Sequence, residues 1–107
     1  MVVDFAASSA RTASGSAGVV AGLSVQTTLR VQLDVTAAAG TSPTLTVTLE
    51  DTIDGTNWNT IGTFAQKAGP GREVINIATP FADRVRASWV IGGTAPSFTF
   101  SVVAHAE

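Results

Sequence analysis

Apolar and polar residues alternate with a period of two through most of the chain. Over residues 28–36 the apolar positions are Leu29, Val31, Leu33 and Val35, separated by Arg30, Gln32 and Asp34. Successive side chains of a strand point to opposite faces, so this spacing predicts a strand with one buried and one solvated face. Residues 44–50 repeat the pattern, with Leu45, Val47 and Leu49 inward and Thr44, Thr46, Thr48 and Glu50 outward. Residues 84–91 do so with Val85, Ala87, Trp89 and Ile91, and residues 97–105 with Phe98, Phe100, Val102 and Ala104. β-branched and aromatic residues dominate all of them, as a pleated, half-buried surface favours. No apolar pattern with a helical period has useful length. The prediction is an all-β protein.

Turn chemistry agrees. Gly40-Thr-Ser-Pro43 and Gly92-Gly-Thr-Ala-Pro96 interrupt the alternation, and Asp54-Gly55 is a tight-turn signal ahead of Trp58. Ala68-Gly-Pro-Gly71 marks a further loop before a short strand near residues 73–78. In residues 58–64, Trp58 and Phe64 share a parity that Ile61 does not, and a bulge near Gly62 would reconcile them.

The two central segments are copies of one another. Arg30-Val-Gln-Leu-Asp-Val followed by Gly40-Thr-Ser-Pro-Thr-Leu-Thr-Val resembles Arg84-Val-Arg-Ala-Ser-Trp followed by Gly93-Thr-Ala-Pro-Ser-Phe-Thr-Phe. The copies are offset by 54 residues at the arginine and 53 at the glycine. Strand, Gly/Pro loop, strand predicts a hairpin in each copy, placed on related parts of a two-layer sandwich. Residues 6–17 are small and have almost nothing to bury. They predict an extended N-terminal arm over 1–18, anchored at Val2, Val3 and Phe5, ahead of an opening strand on which Val19, Ala21, Leu23 and Val25 alternate. The expected fold is therefore all-β: an antiparallel β-sandwich or jelly-roll-like single domain over 19–107 with that arm.

Composition narrows the chemistry. Charged residues make up 13% of the chain, about half the usual share, whereas 24 of its 107 residues are Ser or Thr. Without cysteine, neither a disulfide framework nor a thiolate-ligated zinc site can form. A formal charge of −2 with six basic residues argues against a nucleic-acid partner. No apolar run approaches the ~18 residues of a spanning helix, so no membrane role is expected. The N-terminus has no basic region followed by an apolar stretch and does not read as a signal peptide.

Candidate sites are few. Glu50, Asp51, Asp54 and Asn57 form an acidic cluster that either contributes oxygen ligands to a calcium ion or makes a turn and solvates a strand end. His105 is the sole histidine, with Ser101 four residues away on the same strand face, roughly 13 Å along an extended chain. That separation and the absence of a Gly-x-Ser-x-Gly elbow predict no catalytic site. The acidic cluster lacks the alternate-position ligands and terminal Glu of an EF-hand loop, so the expectation is no metal and no cofactor. Arg30, Arg84 and Arg86 project outward, to bind an anion, to pair across strands with Asp34, Glu50 or Asp83, or to line a subunit interface with Arg11. Trp58 is either a sugar-stacking platform or a cap on one end of the fold. The outward Thr and Ser rows nearly lack charge, which predicts surfaces built to be covered.

The run T-L-T-V-T-L-E-D-T-I-D-G-T-N-W-N-T-I-G-T-F, followed by R-V-R-A-S-W-V-I-G-G-T-A-P-S-F-T-F-S-V, resembles small structural proteins in the virions of tailed bacteriophages. The resemblance spans roughly residues 28–104. It implies a non-enzymatic capsid decoration or cement protein, at the capsid surface of a virion assembled in the bacterial host cytoplasm. Its partner would be the major capsid protein, and the chain itself a homo-oligomer, a trimer by preference. Val2, Val3, Phe5, Arg11, Arg30, Arg84 and Arg86 are the expected interface. D-G-x-x-W turns similar to this one also occur in discoidin-like carbohydrate-binding sandwiches. A carbohydrate-binding module on a tail or cell-surface protein, using Trp58, is therefore the alternative, beside a tail-tube or baseplate component.

Overall fold

The computed structural model describes residues 1–107 and contains strands but no helix. The strands are β1 (Val2–Arg11), β2 (Gly15–Ser16), β3 (Leu29–Thr52), β4 (Trp58–Thr63), β5 (Gly71–Ile77) and β6 (Arg84–Ala106). All pairings are antiparallel and belong to one sheet. β3 and β6 pair along their whole length, from Leu29 opposite Ala106 to Thr52 opposite Arg84. β1 and β2 flank β6, while β4 and β5 flank β3.

The alternating pattern lands where the sequence predicts. Leu29, Val31, Leu33, Val35, Leu45, Val47, Leu49, Val85, Ala87, Trp89, Phe98, Phe100, Val102 and Ala104 are all buried in one core, with Ile91 packed at its margin. A straight strand of 24 residues would reach about 80 Å, yet the longest extent of the molecule is 42 Å. The sheet is therefore folded over on itself. Its first half comprises β1, β5 and the segments 29–39 and 97–106; its second comprises β2, β4 and the segments 44–52 and 84–92.

The fold line corrects the hairpin reading. Each copy of the repeat is a single bent strand, and the two copies pair with each other instead of closing on themselves. Ser42 and Ala95 turn the backbone at φ of 48° and 47°, each followed by a proline. Gly40 and Gly93 both have a φ of 113°. A Cβ on Gly40 would stand 2.8 Å from the Ala95 carbonyl oxygen, and one on Gly93 would stand 2.8 Å from that of Ser42. Only glycine lets the two bends nest this closely.

A pseudo-two-fold axis passes through the Thr41–Thr94 pair. An offset of 53 residues converts Leu45 opposite Ile91 into Phe98 opposite Ala38, and Thr44 opposite Gly92 into Ser97 opposite Ala39; all four pairings are present. The offset of 54 at Arg30 and Arg84 has a physical cause, because the first copy carries one extra residue, bulged out of the ladder at Thr36 between Val35 and Ala37. The same axis exchanges the β1/β2 flank with the β4/β5 flank. Residues 1–53 and 54–107 are thus two versions of one unit: a broken flanking strand, a connection and a long bent strand.

The segment 1–18 is part of this sheet and not an arm outside it. β1 pairs with β6 from Val2–His105 to Arg11–Phe98, and β2 continues along β6 at Trp89 and Ser88. Val3, Phe5 and Ala6 lie in the core. The segment needs no core of its own because β6 offers an open edge along its whole length. Residues 19–28 do not form the expected strand beyond a single bridge from Val20 to Val85. They cross the open end of the folded sheet, with Leu23 completely buried as a plug and Val19 and Val25 exposed. In β4 the ladder passes from Thr60 to Gly62, so the bulged residue is Ile61.

Candidate functional site

The expected interface residues separate into three environments. Val3 and Phe5 are core residues with 6% and 3% exposure, so they are unavailable to a partner; Val2, on the opposite face of the same strand, is 76% exposed. Arg11 turns inward. Its guanidinium lies over the rings of Trp89 and Phe100, at 4.7 and 4.4 Å, and donates to the carbonyls of Ala7, Ser9 and Phe100. Burial lowers its pKa, but with these partners it serves as an internal clasp.

Arg84, Arg86 and Trp58 gather on the outer face of the second half-sheet. Arg86 donates to Glu50 at 3.0 Å, and its guanidinium lies 4.0 Å from the centre of the Trp58 ring. The sequence missed this stacking because the pair is diagonal across β4, β3 and β6, which only the register brings together. One face of Trp58 is consequently covered, and a sugar could not stack there. Arg84 donates to the Ile53 carbonyl at 3.2 Å and packs against Gly55.

The acidic cluster is spent on local structure. Asp54 Oδ1 accepts the backbone N–H groups of Thr56 and Asn57 at 2.8 Å each, and Oδ2 accepts the Asn57 amide at 2.7 Å. Those donors hold its carboxyl well below the usual carboxylate range, the Asn57 backbone N–H contributing most. Asp51 accepts the Ala82 N–H, and Glu50 faces Arg86. The turn reading of this cluster therefore describes the geometry, and no three carboxylate or imidazole groups converge on a common point. Asp83, a candidate partner for the arginines in the sequence, instead accepts the N–H groups of Gly22 and Ser24 and pins the 19–28 crossing. Its pKa is lowered, chiefly by the Gly22 N–H.

The concave surface lies elsewhere, on the outer face of the first half-sheet at its open end. Val2, His105, Arg30 and Asn76 stand in one row across β1, β6, β3 and β5. A groove of about 400 Å³ runs between Arg30, Asn76, Ile77, His105 and Glu107. A second groove, of about 240 Å³, lies between Val2, Gln32, Val103 and the same Arg30 and His105. His105 Nε2 is 3.2 Å from a Glu107 carboxylate oxygen, and Arg30 donates to Asn76 Oδ1 at 3.1 Å. Ser101 stands opposite Asp34, four ladder positions from His105, so this serine does not adjoin the imidazole. The grooves are shallow, with mixed apolar and polar walls, suited to side chains of a partner.

Compared with known proteins, the chain matches no family model and no curated protein sequence.

Proposed function

We propose that this chain is a non-enzymatic structural protein of a tailed-phage virion, binding the outside of the head and stabilising it by bridging coat subunits. The observation that carries this reading is the pair of hydroxyl rows: Thr44, Thr46 and Thr48 on β3, and Ser97, Thr99 and Ser101 on β6. The two rows correspond under the offset of 53 residues and lie on opposite outer faces of the folded sheet. Soluble β proteins protect such faces and their edges with lysine and glutamate. Here the one lysine, Lys67, is engaged by Glu73.

Two like faces suit a bridge, because each can meet the same coat surface on a neighbouring subunit. A standard interface takes about 800 Å² from each partner. Two such footprints would cover about a third of the 5329 Å² surface of the molecule, leaving room for contacts between copies in a homo-oligomer. Repetition over a shell then gives occupancy without strong single contacts. The resemblance of residues 28–104 to small phage virion proteins points the same way. The carbohydrate reading is restricted to the face of Trp58 away from Arg86.

The test is co-sedimentation with heads of the source phage prepared without this protein. Saturable binding at a fixed ratio to the coat protein, together with a higher temperature of head rupture, is the expected result. No binding to heads, or a dozen or fewer copies in a purified virion, overturns the proposal.

A further inference from the structure

We infer that the ridge formed by Arg30, between the two grooves at the open end of the first half-sheet, receives a carboxylate side chain of an extended protein segment, flanked on both sides by aliphatic side chains. The inference rests on the proposed bridging role and names the chemistry the coat surface would present.

Arg30 is the one arginine of the five that is both exposed and without a carboxylate partner. Arg72 faces Asp34 and Arg86 faces Glu50. Arg11 donates to three carbonyls and the half-buried Arg84 to one. Arg30 makes a single hydrogen bond, to the neutral amide oxygen of Asn76, and is exposed. A guanidinium has five N–H donors in a planar fork that matches a carboxylate, so most of this fork is directed to solvent. The nearest carboxylate in the grooves, Glu107, is engaged by His105. Asp4 lies two ladder positions further along, separated from Gln32 by Val103.

The surroundings are apolar in a way that fits an interface anchor. Ile77 and Leu29 help to wall one groove, Val2 and Val103 the other. Met1 and Val25, on the adjoining chain segments, are 54% and 81% exposed. Arginine is enriched at the energetic centres of protein interfaces, and Arg30 stands beside the exposed Val2 and the half-buried Val103, with the edges of the core residues Leu29 and Ile77 on its other side. In an extended segment, side chains on one face recur about every 7 Å. A central glutamate on Arg30 would therefore set the residues two before and two after it toward the two grooves.

The probe is acetyl-Leu-Ser-Glu-Ser-Leu-amide, with its Gln analogue as control, titrated into the full chain and followed by NMR at the Arg30 Nε–H and the Asn76 side-chain amide. Saturable shifts are expected with the Glu peptide, and at least tenfold weaker binding with the Gln peptide. Arg30→Gln, an exposed substitution, should remove the response while leaving the rest of the spectrum in place. Asn76→Asp supplies an internal carboxylate to Arg30 and should also abolish binding. Equal shifts with both peptides, no shift, or full binding by either variant overturns the inference. Head binding separates it from the broader proposal. If Arg30→Gln coats heads as well as the native chain, the carboxylate contact at Arg30 is wrong and the bridging role stands. If the peptide binds but heads do not, the bridging role is wrong and the carboxylate contact stands.

Discussion

The indole of Trp89 meets the ring of Phe100 edge-on, with centroids 5.4 Å apart and planes at 80°, although the two residues are eleven positions apart on one strand. Straight, that stretch would separate them by about 36 Å. Their contact is the joint between the two half-sheets, and Arg11 closes it from the side by lying over both rings. Trp89 Nε1 in turn donates to the Ala13 carbonyl at 3.2 Å, tying the link between β1 and β2 to the same joint.

Arg11→Ala should therefore cost about 2 kcal/mol, combining two partly buried cation–aromatic contacts with hydrogen bonds from a charged donor. Urea unfolding measures it. Arg11→Lys keeps the charge but loses the flat stacking and the fork, so it should recover less than half of that loss. A change below about 0.5 kcal/mol for the alanine variant would mean that the clasp is incidental.

The bends at residues 40–43 and 93–96 are equivalent, and their glycines should respond alike. Gly40→Ala and Gly93→Ala each place a Cβ 2.8 Å from a carbonyl oxygen of the opposite strand, at a φ of 113°. Backbone strain at such a position costs on the order of 1–3 kcal/mol before the clash is added. Losses of about 3 kcal/mol or more are expected for both, matched to within about 1 kcal/mol. Gly71→Ala, where an added Cβ meets nothing within 4 Å, is the control and should be close to neutral. A large asymmetry between the first two variants would count against the pseudo-two-fold relation.

The limits of the sequence reading follow from what alternation encodes. Leu29 to Val35 and Phe98 to Ala104 reveal which side chains are buried, because period two records a face. They do not reveal the partner strand, since Leu45 reads the same whether it faces Leu33 or, as it does, Ile91. Hence the strands were legible and their pairing was not, and the expected hairpins are two long strands paired with each other. Val3 and Phe5 were legible as apolar anchors, yet assigning them to an interface required β6 to be closed on that side, and no local pattern says whether an edge is free. Residues 19–25 alternate like a strand, but Asp83, some sixty positions away, holds Gly22 and Ser24 in a crossing instead. At the candidate sites the residue types were visible and their company was not. Arg86 over Trp58, and Arg30 beside His105, are consequences of register.

Acid should loosen this fold through two carboxylates. Asp54 and Asp83 have pKa values lowered by backbone N–H donors. A group whose folded pKa is depressed adds stability above its unfolded value, near 4, and that stability is lost as the pH falls toward the folded value. The Tm of the native chain should hold steady from about pH 7 to 5 and fall below about 4. Asp83→Asn and Asp54→Ala should lower Tm at neutral pH, with the gap to the native chain narrowing under acid. A gap that stays constant from neutral to strongly acid pH would assign the role to groups other than these.

The two halves of the chain are joined by the turn after Ile53, and the pseudo-two-fold axis makes a join from Glu107 to Met1 its counterpart. The geometry for that second join exists: the Met1 amino group is 3.2 Å from the Ala106 carbonyl oxygen, and the Ala106 N–H donates to the Met1 carbonyl at 2.8 Å. Ile53, at the other join, is 81% exposed, so opening the chain there disturbs no core side chain. A circular permutant running 54–107, a short glycine linker, then 1–53 should fold to the same sheet. Exposed, polar turns tolerate such cuts best, although this one gives up the Asp54 turn and a modest part of the stability with it. The readout is the set of amide signals of β3 and β6, whose pairing should survive from Leu29–Ala106 to Thr52–Arg84. If the permutant loses that ladder while the native order keeps it, the two halves are not interchangeable units, and the internal symmetry is confined to the bends.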